Sequence, residues 1–277
     1  MKSLATDKLK EHCRLATAVV RTLPYFIIVG AQRAGTTSLY RYLIRHPQVI
    51  SAFKKEIHFF DLQFPRGVRW YRSHFPTTVG IQIQDATGRM RHVSGEASPY
   101  YMFHPHAPRR MSEVVPAARL IVLLRDPVER AYSHYHHSVK FGFETLPFDE
   151  AVKKEKERLD GELEKMIADE NYYSKNHRHL SYVTRGYYIE QLKELAKFFP
   201  RRQIMVIKSE DLFRRTKETY DQVLEFLGLE PWTLKRTANV NKGSYSPGPF
   251  PLEDELRVHF RPYNKQLNDY LGVDFGW

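Results

Sequence analysis

The sequence of 277 residues contains a single cysteine, Cys13. One thiol excludes an intrachain disulfide and any metal site built from several cysteines, and this low usage is typical of a reducing compartment. Long apolar runs are also missing, since no stretch approaches the roughly 18 apolar residues that a membrane-spanning helix needs. The segment from Leu15 to Val20 is too short and too interrupted for a secretory signal. We therefore expect a cytoplasmic protein without stable membrane insertion.

Acidic residues are the minority among the charged ones. The chain has 32 Asp and Glu against 43 Lys and Arg, which leaves a net charge of +11. Such an excess favours an anionic partner, for example a phosphorylated ligand, an acidic glycan or a nucleic acid. The basic residues are scattered, and no repeat of aromatic and basic residues groups them, so we expect no nucleic-acid partner.

Three short apolar runs predict buried parallel strands. They are Phe26–Val29, Arg119–Leu124 and Ile204–Ile207, and helical patterns lie between them. Strands that alternate with helices indicate an α/β fold with a central, mostly parallel sheet flanked by helices. The length suits a single domain, which we place at residues 23–277 after an N-terminal helical extension at residues 1–22.

Several further elements follow from periodicity and from helix-ending residues. A short strand that ends in a turn is predicted for residues 93–101, a long surface loop for residues 64–92 and a binding or ordered loop for residues 239–250. Residues 148–170, rich in Lys and Glu, are interpreted as one solvated helix with ion pairs four residues apart. The other predicted helices cover residues 107–115, 127–135, 187–199, 217–227 and 254–271.

The first predicted strand leads directly into a glycine-bounded loop. Residues 25–37 read Y-F-I-I-V-G-A-Q-R-A-G-T-T, and a helical pattern follows. Loop amides and the positive end of a helix dipole converge in such a unit, which suits a phosphate or sulfate group. The spacing is close to that of a Walker A loop, but Thr36 stands at the position of the lysine, and Arg33 supplies the charge instead.

The second strong strand is followed by Arg125-Asp126-Pro127. Asp126 is placed to cap a helix, and Pro127 would take its first position, where a missing amide costs nothing. This arrangement puts Arg125 and Ser133 near the carboxyl edge of the sheet, where open α/β folds bind ligands.

The segment K-E-I-H-F-F-D at residues 55–61 sets charged groups among bulky apolar ones. Such charges lie either on a solvated rim or in a polar cleft, and the residues alone fit both.

Together, these segments resemble the sulfotransferases that use 3'-phosphoadenosine 5'-phosphosulfate (PAPS), in particular their bacterial and heparan-type carbohydrate branch. Residues 31–38 look like the family's P-loop-like phosphosulfate-binding loop, and residues 124–133 like its 3'-phosphate motif. Residues 55–61 are similar to the K-E-x-H-F-F-D segment of heparan-type enzymes, and residues 241–244 to their second 3'-phosphate loop.

The resemblance implies an α/β sulfotransferase that moves a sulfuryl group from PAPS to a hydroxyl or amine, releases 3'-phosphoadenosine 5'-phosphate (PAP) and needs no metal. The acceptor would be a glycan, with a small natural product as the alternative. Glu56 would be the base, with His58 orienting it or acting in its place, and Arg33 would stabilise developing charge. The implied cofactor-binding residues are Gln32, Arg33, Ala34, Gly35, Thr36, Thr37, Ser38, Arg125, Ser133, Tyr188, Lys242 and Gly243. The implied acceptor-binding residues are Lys54, Lys55, Asp61 and Ser98.

Two positions depart from the heparan-type pattern. Arg33 replaces a lysine, which keeps the charge in a planar and permanently protonated group. Ala97 replaces a lysine near the acceptor, and Lys54 and Lys55 are the nearby candidates to compensate. The main alternative function for a similar fold is that of a P-loop kinase or nucleoside triphosphatase. The missing Walker lysine and the lack of an acidic magnesium partner both argue against it. For Glu56, a plain ion pair with Lys54 or Lys55 is the alternative to catalysis.

Overall fold

Five parallel strands form the centre of the fold in the computed structural model, which describes residues 10–81, 92–234 and 250–277. They are β1 (Phe26–Gly30), β2 (Val49–Ser51), β3 (Val93–Ala97), β4 (Arg119–Leu124) and β5 (Ile204–Lys208). Their order is β2-β3-β1-β4-β5, and every pairing is parallel. All residues of β1 and β3 are buried, as the continuous apolar run in β1 predicts. The predicted fold class is confirmed.

The order of the strands also fixes where a ligand can bind. From β1 the chain first builds β2 and β3 on one side of the sheet and then β4 and β5 on the other. Open α/β sheets bind ligands at such a switch point, in the crevice beyond the carboxyl ends of the strands. The loop after β1 and the turn after β4 both lie at this edge, because their strands are parallel neighbours.

Helices cover the sheet and build its surroundings. Residues 10–16 are helical and are labelled α1. The others are α2 (Thr36–Leu43), α3 (Gly67–Arg72), α4 (Ala107–Val114), α5 (Pro127–Lys140), α6 (Phe148–Lys153), α7 (Glu155–Leu159), α8 (Glu162–Ala168), α9 (Lys175–His179), α10 (Tyr188–Phe198), α11 (Ser209–Arg214), α12 (Thr216–Leu227) and α13 (Glu253–Leu271). A π-helical turn, Phe59–Gln63, follows β2. The predicted helices at 107–115, 187–199, 217–227 and 254–271 are thus confirmed to within a residue at each end.

The single helix predicted for residues 148–170 is wrong. The chain forms the three short helices α6, α7 and α8, with Gly161 in the left-handed conformation before α8 (φ 69°). Two of its glutamates are buried rather than solvated. Glu155 accepts hydrogen bonds from the amides of Val183 and Thr184, and Glu162 accepts one from Ser174. These contacts to distant segments override the local helical pattern.

The surface loop predicted for residues 64–92 is also wrong in part. Its described residues include α3, whose Tyr71 is fully buried and stacks on Phe59 with ring centroids 4.4 Å apart. Residues 82–91 of that prediction lie outside the described residues, as do residues 239–249 of the predicted binding loop.

Candidate active site

The loop after β1 turns sharply into α2. Gly35 is the N-cap of α2 at φ 92°, and a Cβ there would lie 3.0 Å from the ring of Phe213. Only glycine meets both conditions without strain. Because α2 begins at Thr36, its first amides and the positive end of its dipole face the loop. The geometry that the sequence predicted for an anion-binding loop, a tight turn into a helix N-terminus, is therefore present.

Arg33 joins this loop to the second predicted motif. Its Nε donates to Ser133 Oγ at 3.0 Å across a hundred residues of sequence. Ser133 is buried on α5, and Asp126 caps that helix by accepting from the amides of Val128 and Glu129. The capping predicted for Asp126 and Pro127 is thus present, and it orients the helix that carries Ser133.

Arg125 lies between β4 and α5, as expected. Its guanidinium pairs with Glu129 at 2.7 Å, and its carbonyl accepts from the Tyr188 hydroxyl at 2.8 Å. Tyr188 is therefore next to the second motif. Lys242 and Gly243, predicted for the same phosphate together with Asn241 and Ser244, lie outside the described residues.

Glu56, His58 and Asp61 form a chain of charges. Asp61 Oδ2 lies 2.7 Å from His58 Nδ1, and the other ring nitrogen lies 3.5 Å from Glu56 Oε2. Burial opposes the charged form of His58, but the hydrogen bonds to Asp61 and Glu56 outweigh it and raise its pKa to about 9. The imidazole is therefore protonated at neutral pH.

Glu56 is held from a second side as well. Lys55 Nζ lies 2.5 Å from Glu56 Oε1 and donates to Thr37 Oγ1 at 2.6 Å. Burial favours the neutral carboxyl, but the hydrogen bond from His58 and the charge of Lys55 outweigh it and lower the pKa of Glu56 to about 2. Lys55 thus links Glu56 to Thr37 at the start of α2. The alternative ion pair considered for Glu56 is present, but it lies inside the same site.

The other predicted acceptor residues differ in position. Lys54 is half exposed and pairs with Glu11 at 2.6 Å. Ser98 is fully buried, donates to Glu96 and accepts from the amide of His58. Ala97, the position of the missing lysine, is fully buried in β3, and Lys55 is the lysine that reaches the loop.

A pocket of about 340 Å³ is lined both by the loop after β1 and by Glu56 and His58. Its lining includes Gln32, Arg33, Thr36 and Thr37 of the loop and α2, together with Glu56 and His58. This volume lies at the lower end of the range for small-molecule sites. A larger cavity of about 1040 Å³ between α8, α10 and α13 contains none of the predicted site residues.

A third group of residues also lines the pocket, and its Arg185 was not among the predicted site residues. Arg185 is fully buried, donates to Gln32, and lies 5.0 Å over the ring of Tyr100. Burial lowers its pKa to about 9. The remaining members of this group are His137, Phe141, Phe143, Arg178 and His179. The dense run of His and Arg at residues 177–185 was the available signal in the sequence.

Comparison with known proteins decides the family. A model of the sulfotransferase domain matches residues 23–244. The chain belongs to the sulfotransferase family. A solved sulfotransferase from Alicyclobacillus acidocaldarius is similar with a TM-score of 0.68 and 30% identity, over 92% of this chain and 98% of that one.

Curated sulfotransferases agree with this assignment. The membrane-associated sulfotransferase kil1 of Dictyostelium discoideum is 26% identical over 92% of this chain. Human heparan sulfate glucosamine 3-O-sulfotransferase 3B1 is 28% identical over 93% of it. The chain spans 66% and 65% of the length of these two relatives. The family and the transferase class predicted from the motifs are confirmed.

Among residues 10–81, 92–234 and 250–277, no helix has the length and apolar character needed to cross a bilayer.

Proposed function

We propose that this sulfotransferase moves a sulfuryl group from PAPS to a hydroxyl or amine of a carbohydrate. The observation that carries the proposal is the shared pocket, in which Arg33 and the start of α2 face Glu56 and His58. A cationic loop beside a carboxylate suits a reaction that stabilises an anionic leaving group and receives a proton from the acceptor.

The residues present fit a donor with two phosphates. Arg33 and the amides of Gly35, Thr36 and Thr37 would hold the 5'-phosphosulfate, while Arg125 and Ser133 would hold the 3'-phosphate, with Tyr188 beside them. The contact between Arg33 and Ser133 supports this division, because it makes the two half-sites neighbours. Gln32, Ala34 and Ser38 would shape the loop, and Lys242 and Gly243 stay predicted contacts of the 3'-phosphate.

PAPS supplies an activated sulfuryl group when it is bound. Arg33 would neutralise the negative charge that develops on the 5'-phosphate oxygen as the sulfuryl group departs from it. Glu56 is ionised at neutral pH and would accept the proton of the acceptor hydroxyl, whereas His58, already protonated, would hold the carboxylate in place. A carboxylate of such low pKa is a weak base, which suits the loose transition state expected by analogy with phosphoryl transfer.

The acceptor would enter along the third group of lining residues. Arg178, His137 and His179 offer cationic or donor groups, and Phe141 and Phe143 offer apolar faces. A pocket of about 340 Å³ admits one sugar ring of a glycan, and an anionic substituent would meet Arg178. The same aromatic faces favour a small hydroxylated natural product as the second candidate. A cytoplasmic location stays a prediction.

Incubation of the protein with ³⁵S-labelled PAPS and a panel of acceptors tests the proposal. The panel holds heparosan, heparan sulfate, chondroitin and small hydroxylated compounds. We expect label on at least one acceptor, undiminished by a metal chelator. Absence of transfer to all of them, with magnesium-dependent ATP hydrolysis instead, would contradict the proposal and favour the kinase or triphosphatase.

A further inference from the structure

The turn that carries Glu56 is fixed by side chains rather than by a strand or helix. It lies between β2 and the π-helical turn, and His58 has a left-handed conformation with φ 55°. Residues other than glycine rarely adopt this conformation unless their surroundings impose it. The amides of three successive residues in this turn donate to side chains of one segment, Glu96–Tyr101.

Each amide has its own acceptor. Ile57 N donates to Glu96 Oε2 at 3.3 Å. His58 N donates to Ser98 Oγ at 3.2 Å, and Phe59 N donates to the Tyr101 hydroxyl at 2.7 Å. These bonds hold the backbone on both sides of His58 and directly after Glu56.

Glu96 is at the centre of this network. It is the fourth residue of β3, fully buried, and accepts at both carboxylate oxygens. Tyr71 and Tyr101 hydroxyls donate to Oε1 at 2.6 and 3.2 Å, while Ser98 Oγ donates to Oε2 at 2.7 Å. With the Ile57 amide, four neutral donors satisfy one carboxylate. Ser98 and Tyr101, the other two anchors, are thus themselves oriented by Glu96.

Burial of a carboxylate is unfavourable because the charged group loses its hydration. Burial raises the pKa of Glu96 to about 7, against the lowering effect of the hydrogen bonds it accepts. Removal of a carboxylate from water costs free energy unless its oxygens are fully bonded. Here one of the four bonds comes from the turn beside the candidate base, and two others orient Ser98 and Tyr101, which accept from that turn.

We propose that Glu96 is a positioning residue that holds the Glu56–Phe59 turn so that the Glu56 carboxylate faces the phosphosulfate loop. This inference rests on the proposed sulfuryl transfer. A glutamine at position 96 keeps the size of the side chain, but its amide nitrogen cannot accept a bond from Ile57 N or Ser98 Oγ while its oxygen takes the tyrosines.

The variants Glu96→Gln and Tyr71→Phe form a matched pair. Tyr71→Phe removes a buried hydrogen bond to the same carboxylate, yet it frees no amide of the turn and keeps the ring that stacks on Phe59. Hydrogen exchange of the peptide that spans residues 56–60, read by mass spectrometry on the full chain, reports the anchoring directly. Steady-state sulfuryl transfer from PAPS, measured with the panel acceptor that wild type uses best, reports how the anchoring of the turn affects the reaction rate.

For Glu96→Gln we expect exchange of that peptide to rise about tenfold or more, because local opening no longer breaks the bond to Ile57. We expect kcat to fall about 100-fold, since misplacement of a catalytic group by about 1 Å costs this much. The KM for PAPS and the Kd for PAP should stay within about twofold, because the donor loop is untouched. Tyr71→Phe should match wild type in exchange and in kcat.

Unchanged exchange in Glu96→Gln would overturn the inference, and so would faster exchange with unchanged kcat. Equal losses in both variants would also overturn it, because they would mean general destabilisation. If Glu96→Gln does not fold, Ser98→Ala takes its place, since it frees the amide of His58 and removes one of the four donors to the Glu96 carboxylate. Wild-type protein that transfers no sulfuryl group would refute the proposed function, while the exchange comparison would still decide whether Glu96 fixes the turn.

Discussion

At the scale of single residues, two cations control the charge of Glu56. Lys55 and protonated His58 lie on either side of its carboxylate, at 2.5 and 3.5 Å. Asp61 is buried behind His58 and keeps the imidazole charged. With its pKa lowered to about 2, the Glu56 carboxylate is ionised at neutral pH, and Lys55 connects it to Thr37 at the start of α2.

Substitution of Glu56 by glutamine tests its role. The substitution keeps the shape of the side chain and removes the charge, so kcat should fall by about 10²- to 10⁴-fold, the range for loss of a general base. Binding of PAP, measured by calorimetry, should not change. Glu11→Gln is the matched control, because Glu11 pairs with Lys54 outside the pocket. Equal transfer by Glu56→Gln and Glu11→Gln would remove Glu56 from the role of base.

The pH dependence of stability tests the charge on His58. Its pKa in the folded chain, about 9, is above the ordinary value of 6.5. Its contribution to the free energy of unfolding is thus full below pH 6.5 and lost as pH rises through 9, and amounts to roughly 3 kcal/mol at most. Urea unfolding at pH 6 and pH 9.5 should show a large deficit for His58→Gln at the lower pH and a small one at the higher. A deficit of the same size at both values would contradict a raised pKa for His58 in the folded chain.

At the scale of elements, two helix starts shape the site. The left-handed Gly35 begins α2, and the side chain of Asp126 begins α5. Gly35 and Asp126 both fix the backbone at the carboxyl edge of the sheet. Each can be substituted without changing a charged residue that lines the pocket.

Replacement of Gly35 by alanine should distort the loop. The new Cβ would meet the ring of Phe213 at 3.0 Å in a backbone conformation that disfavours side chains. PAP should bind at least about tenfold more weakly by calorimetry, which corresponds to about 1.4 kcal/mol. Gly272→Ala is the control, since φ is 70° there and the space around it is open. A similar affinity for PAP in both variants would show that the loop tolerates the change.

Removal of the Asp126 cap should destabilise α5. Asp126→Ala leaves the amides of Val128 and Glu129 without their acceptor, which costs about 1 kcal/mol in the free energy of unfolding. Asp149→Ala, in the first turn of α6 but not a cap, should change it by less than about 0.5 kcal/mol. Denaturant unfolding measures both, and equal effects would argue against the cap.

At the scale of the whole molecule, local patterns predicted four of the five described strands and the helix cap at Asp126. The apolar run at Phe26–Val29 and the capped turn at Asp126 are local features, so the sequence displays them directly. Arg185 could not be placed in this way, because it reaches Gln32 across 153 residues. Glu155 was misjudged for the same reason, since its partners Val183 and Thr184 are nearly thirty residues away.

Acceptor-dependent release of PAP tests the central claim most directly. Wild-type protein and Glu56→Gln are incubated with PAPS, with and without the acceptor that carries most label in the panel, and PAP is quantified by chromatography. The account predicts that PAP forms in step with the labelled product, only when acceptor is present, and far more slowly in Glu56→Gln. No release of PAP by wild type, or release at the same rate without acceptor, would contradict it.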